Sequence, residues 1–142
     1  MVKIINKTLE LKSEGQSQVR DITEEVGGCL EKENVSEGMV HLFIPGATGA
    51  ITTLEYEPGL VNDIKDAWER IAPRYGYYRH DRDRNDDNSH SHIRAALIGP
   101  SLCVPFKDKK LILGQWQRIV FIDFDTRPRE REIIVQIIGG EA

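Results

Sequence analysis

Hydrophobic and polar positions fall into nine short patterns along this chain. "VKIINKTLEL" alternates apolar and polar residues and predicts a strand. Val19, Ile22, Val26 and Leu30 recur at three- and four-residue spacing and predict a helix from about Ser17 to Lys32, with Ser17 as its cap. "NVSEG" breaks it. "MVHLFIP" is an apolar strand stopped by Pro45, and "GATGAITTLEY" is a glycine-punctuated turn that runs into a β-branched strand. A second helix lies in "EPGLVNDIKDAWERIAP", with Leu60, Val61, Ile64, Trp68 and Ile71 on its apolar face, Pro58 near its start and Pro73 at its stop.

From Arg74 to Ser91 the chain is polar apart from its tyrosines, and it predicts a long loop of the kind that carries function or is disordered. "HIRAALIG" then supplies one or two helical turns. "SLCVPFK", "QRIVFIDFD" and "REIIVQIIG" close the chain as strands, with a tight turn at "DKKL" between the first two. The order is βαββα followed by three or more strands. Short turns between successive strands favour a mainly antiparallel sheet, so the expected class is α+β, one domain over residues 1–142 with two main helices.

Composition narrows the function. Charged residues are 30% of the chain and hydrophobic residues 39%, as in a soluble globular protein rather than a disordered one. The apolar runs are too short to span a bilayer, and the N-terminus has no continuous apolar core, so the expected setting is the cytoplasm with no membrane partner. A net charge of -4 without a basic tail argues against nucleic acid as a partner. "YYRHDRDR" and "RPRER" are arginine-rich, but each alone reads as a solvated turn. Cys29 and Cys103 sit among apolar neighbours and read as two buried thiols.

Four segments could carry chemistry. In "NDDNSHSHIRAALIG", His90 and His92 stand two apart. On a strand both rings would share a face; on a helix they would diverge by about 200°. A direct chelate therefore requires extended backbone, with Asp86, Asp87 or Glu55 supplying oxygen to zinc or a similar ion. One histidine could instead move a proton, or the pair could be loop residues bonded to their own backbone. "GATGAITTLE" could present amides and hydroxyls, Thr48 among them, to an anion, or be a turn before a strand; the spacing is neither a Walker loop nor a dinucleotide-binding motif. "LGQWQ" places Trp116 between Gln115 and Gln117, as a pocket wall or a core residue. Asp123 and Asp125 in "FIDFDTRPRER" could hold a cation or pair with Arg127 or Arg129.

In this order the segments resemble the YjbQ-like family over nearly the whole chain. The resemblance rests on the strand ending at Pro45, the run from Thr48 to Glu55, Asn88 to Gly99, Leu113 to Gln117, and the closing strand pair; Asn88 to Gly99 matches at seven specified positions. It implies a compact α+β domain, a homotrimer, and, as for some members, a secondary thiamine-phosphate synthase, which joins a pyrimidine diphosphate to a thiazole phosphate and releases pyrophosphate. It implies a catalytic set of His90, His92, Glu55 and Arg94, and ligand contacts from Thr48, Asn88, Gln115, Trp116 and Gln117, the last three reached from a neighbouring subunit. A divalent metal, zinc or magnesium, would sit on His90 and His92, and the partner would be a small phosphorylated molecule. Two alternatives stay open: a metal-dependent phosphate-ester hydrolase, and a non-enzymatic small-anion-binding trimer. Many members carry "PHTT" where this chain reads "PGAT", so Gly46 and Ala47 stand where that histidine and threonine would be. His80 is the candidate to replace the histidine in space.

Overall fold

Two antiparallel sheets and one helical layer are stacked in a computed structural model that describes residues 1–141. The strands are β1 (Lys3–Ser13), β2 (Gln18–Asp21), β3 (Glu37–Phe43), β4 (Gly49–Leu54), β5 (Ser101–Lys107), β6 (Lys110–Leu111), β7 (Arg118–Asp123) and β8 (Arg129–Gly140). The helices are α1 (Thr23–Glu31), α2 (Pro58–Ile71), α3 (Arg79–Arg84) and α4 (Ser89–Ile98). One sheet runs β1-β8-β3-β5-β6 and the other β2-β7-β4.

β7 explains the layering. It is buried on both faces, which is why its sequence is apolar almost throughout. Ile119 and Phe121 join a core with Val40, Leu42, Val104, Phe106, Ile133, Val135 and Ile137 of the large sheet and Val26 and Leu30 of α1. Val120, Ile122 and the following Phe124 face the other way, onto Trp68 of α2 and Ala95 of α4. Trp68 meets Phe124 edge to face with ring centroids 4.7 Å apart, a favoured aromatic geometry. The outer face of the large sheet has no covering layer among the described residues, and Met39 and Phe43 are exposed on it.

The expected α+β class and most of the strands are present. Several local expectations are overturned. The helix predicted from Ser17 to Lys32 is a strand, a bend and a shorter helix. Val19 pairs with Ile122 across the β2–β7 ladder and packs in the helical-layer core, while Ile22 packs in the other core. Their three-residue spacing is therefore not a helical face. Ser17 is not a cap; it has a φ of 64°, and Ile22 holds the α1 N-cap position.

Within α2, the predicted apolar face is buried chiefly through Trp68, and Ile71 in the last turn is exposed. The stretch from 74 to 91 is not one loop. It contains α3, ended by Asn85 in the left-handed conformation that asparagine tolerates, and then the start of α4. Cys29 is half-buried and Cys103 is exposed, and both are free.

Candidate functional site

His90 and His92 both lie inside α4, so they do not share a face. His90 lines a cleft with Gln16, Ser17, Lys65, Glu69, Arg74 and Arg94. His92 lines a different pocket, about 780 Å3 in volume, with Tyr77, Tyr78, Arg79, His80, Arg82, Ser89 and Ile93. The extended backbone that a chelating pair requires is absent there. Among the described residues, no group of three or more histidine, cysteine or acidic side chains is placed to hold a metal ion. The donors do not fit zinc or magnesium on His90 with His92.

The His92 pocket is built by the short α3 folding back over the first turn of α4. Asp81 ties the two together: its Oδ1 accepts from the Ser89 amide at 2.9 Å and from the Ser89 hydroxyl at 2.6 Å. That places the His80 ring edge to face with His92, centroids 5.0 Å apart. The His80 Nε2–H donates to Asn88 Oδ1 at 3.1 Å, and the His92 Nδ1–H donates to the Ala47 carbonyl at 3.1 Å. Each bond fixes a tautomer in the neutral ring and leaves the other nitrogen, His80 Nδ1 or His92 Nε2, as a proton acceptor. Arg79 and Arg82 line the same pocket, the Arg82 Nε donating to Asp83 Oδ1 at 3.0 Å, and Tyr77 brings a largely exposed ring. The set combines two arginines, an aromatic face and an imidazole pair.

The other expected site residues lie elsewhere. Arg94 is a buried tie between elements: its Nε donates to the Ala72 carbonyl at 3.0 Å, Nη1 to Ser17 Oγ at 2.9 Å and Nη2 to Glu69 Oε2 at 2.6 Å. Glu55, Gln115 and Trp116 converge on a separate cleft with Asp21, Tyr56 and Arg118. Gln117 turns back on its own loop, where its Oε1 accepts from the Gly114 amide at 2.8 Å.

Thr48 is buried in an ionic network. Arg131 grips Asp123 through Nε at 2.8 Å and Nη2 at 2.9 Å, and its Nη2 also donates to Thr48 Oγ1 at 2.7 Å. Asp125 pairs with Arg129 at 2.5 Å. The two aspartates thus pair with arginines, as one of the two sequence readings held, but they do so buried and Asp123 with Arg131. Gly46 is beside this network at a φ of +125°, where a β-carbon would be strained and would meet Arg131 Nη1 at 3.1 Å. A histidine there would require a different loop. His80 does reach the neighbourhood of this loop, through His92 and its bond to Ala47.

Arg79 and Arg82 line this pocket and were no part of the expected site, whereas His80 entered only as a substitute for the histidine absent at Gly46. The signal was present in "YYRHDRDR", but a loop reading gave its side chains no common direction.

His90 carries a pH dependence. Burial, then the guanidiniums of Arg94 and Arg74, hold its imidazole below the ordinary histidine value. The folded chain therefore binds this proton less well than the unfolded chain does. The stability it contributes is complete above the unfolded histidine value, about 6.5, and is lost as pH falls from there through the folded value. Thermal midpoints measured from pH 7.5 to 5 should fall more steeply for the wild type than for His90→Gln. Parallel curves would remove His90 from the account.

The family described as UPF0047 protein YjbQ-like matches residues 7–140. A UPF0047 protein of Archaeoglobus fulgidus is 39% identical over 92% of this chain and 98% of its own length. The UPF0047 protein YugU of Bacillus subtilis is 30% identical over 94% of this chain and 98% of its own. Among solved structures, a YbjQ-like protein of unknown function from Sulfolobus solfataricus superimposes with a TM-score of 0.92 at 29% identity, covering 98% of this chain and 99% of that one. An uncharacterised YjbQ/UPF0047 protein from Clostridium acetobutylicum gives 0.84 at 36% identity, over 92% and 98%.

Proposed function

The chain belongs to the YjbQ-like UPF0047 family, and from that premise we propose that its Tyr77–Arg82 and His92 pocket binds a phosphorylated heterocycle and transfers it with loss of pyrophosphate. The observation that carries the reading is the meeting of Arg79, Arg82, His80 and His92 in one pocket. The specific activity proposed is the secondary thiamine-phosphate synthase reaction.

In that reaction the thiazole ring nitrogen forms a bond to the pyrimidine methylene carbon. The bond from that carbon to the diphosphate oxygen breaks, and pyrophosphate leaves with its electron pair. Arg79 and Arg82 would hold the diphosphate and take up its growing charge. Tyr77 would stack on a ring and face the cation that develops at the methylene. His92 or His80 in its protonated form would give a proton to the departing pyrophosphate. No step requires an ion held between His90 and His92. Glu55 and Arg94 have no part in it, because neither lines this pocket.

A homotrimer and a cytoplasmic setting belong to the same proposal. A neighbouring copy would cover the exposed Met39 and Phe43 of the large sheet and the exposed Trp116. The two free cysteines suit a reducing compartment. Among the described residues, no helix is long and apolar enough to cross a membrane.

Pyrophosphate release from a pyrimidine methyl diphosphate, with and without the thiazole phosphate, tests the reading. Release that requires the thiazole and yields the joined product supports the transferase. Release without the thiazole would replace it with phosphate-ester hydrolysis. Tight binding with no release in either mixture would leave an anion-binding protein.

A further inference from the structure

The cleft behind His90 is not used by the proposed reaction. It has a volume of about 340 Å3 and is lined by Gln16, Ser17, Lys65, Asp66, Glu69, Arg74, His90 and Arg94. Three features of it converge. His90 is only 3% exposed, and its Nδ1 has no hydrogen-bond partner among the described residues. Such an orphaned buried atom is uncommon in a folded protein. Next, Gly15, Gln16 and Ser17 take consecutive φ values of 73°, 59° and 64°. Two non-glycine residues in a row are thus held in the left-handed region, which the chain adopts only where its surroundings enforce it.

The third feature is charge. Lys65 Nζ has no ion pair or hydrogen bond among the described residues, and the Arg74 guanidinium donates through Nη1 to Gln16 and lies over the Tyr75 ring, 5.4 Å from its centroid. The carboxylates nearby are already engaged. Glu69 accepts from Arg94 and from the Arg74 amide, and Asp81 accepts twice from Ser89. Each guanidinium nitrogen of Arg94 already donates one bond, to Ala72, Ser17 and Glu69. Asp66 is the remaining acid of the lining, on the exposed surface of α2.

We propose that this cleft is a second oxyanion site, separate from the pyrophosphate pocket, which takes a phosphate or carboxylate group on Lys65 and Arg74 and binds it together with a proton taken up by His90. Without a ligand, burial and then the guanidiniums of Arg94 and Arg74 disfavour the charged imidazole. A bound oxyanion supplies the missing counter-charge. Linkage then requires that the anion raise the His90 titration midpoint and that acid strengthen anion binding. The site does not rest on the proposed transferase reaction. It stands if that activity fails.

The test follows the Cε1–H resonances of the four histidines by proton–carbon correlation spectra from pH 5.5 to 8. Sodium sulfate, whose charge is constant over this range, and sodium acetate are the probes, each matched against sodium chloride. The expected result is a rise of the His90 midpoint by about half a unit or more, a threefold change in proton affinity. It should be present in Arg79→Ala/Arg82→Ala and absent in Lys65→Ala/Arg74→Ala. A rise with sulfate alone assigns the site to tetrahedral oxyanions, and a rise with acetate assigns it to carboxylates. A His90 midpoint that neither probe moves beyond chloride overturns the proposal. So does a rise that survives Lys65→Ala/Arg74→Ala.

Discussion

Arg131→Ala should destabilise the protein by about 3–5 kcal/mol, the usual cost of removing one partner of a buried ion pair. Arg131 is 7% exposed and Asp123 is fully buried. The arginine makes two bonds to Asp123 and one to Thr48, so its loss strands a carboxylate inside the protein, while the Thr48 hydroxyl keeps its bond to Asp125 Oδ2 at 3.2 Å. The Asp125 amide, which donates to Asp123 Oδ1 at 3.0 Å, would be the main remaining partner of the carboxylate. Chemical denaturation checks the loss. The double variant Arg131→Met/Asp123→Asn removes both charges and should recover part of it; a double variant as unstable as the single one would mean that packing, not the orphaned charge, sets the cost.

This pair also predicts acid sensitivity. Burial by itself would raise the Asp123 carboxyl, but the Arg131 bonds and the Asp125 amide outweigh it and hold it below the usual aspartate range. The unfolded chain therefore takes up this proton first as pH falls. The contribution is complete above the unfolded aspartate value of about 3.9 and is lost as pH falls through the lower folded value. That window lies well below the one assigned to His90, so the two are separable in a single pH series.

The second large effect is catalytic. His92→Ala should lower the rate of pyrophosphate release by about 10²–10⁴-fold, the range for removing a general acid or base, with the circular dichroism spectrum unchanged. The side chain is half-buried and makes one bond, to the Ala47 carbonyl, which is at the surface and can be met by water. Its loss should therefore cost little stability. His90→Ala should leave the rate within a few-fold, because His90 lines the other cleft. Equal losses from the two variants would contradict the division of the histidines between two sites.

That division marks the limit of what the chain reveals by pattern. β1, β3, β4 and β7 were legible because alternation or a continuous apolar run reflects how many faces of a strand are buried. α2 was legible because its apolar residues keep a helical period. β2 was not, because Val19 and Ile22 match that period while pointing into two different cores. The segment Asn88 to Gly99 was recognisable by its residues, but the consequence of its two histidines turned on backbone conformation. Helix or strand decides whether they act together.

The remaining site residues were separated by contacts distant in sequence. Arg94 reads as a candidate anion ligand until Ser17, Glu69 and Ala72 are seen to occupy its guanidinium. Glu55 and Trp116 do come together, since β4 pairs with β7 and brings their ends to one edge, but they meet away from His92. His80 reaches His92 only because α3 folds over α4, and the Asp81–Ser89 bonds that hold this arrangement have no signature in spacing alone.

The most direct test of the central claim is the affinity for inorganic pyrophosphate, measured by calorimetry on the wild type and on Arg79→Ala/Arg82→Ala. If this pocket holds the diphosphate, the variant should bind at least tenfold more weakly, a loss of about 1.4 kcal/mol or more. Equal affinities in the two proteins would place the phosphorylated ligand elsewhere and contradict the assignment of the pocket.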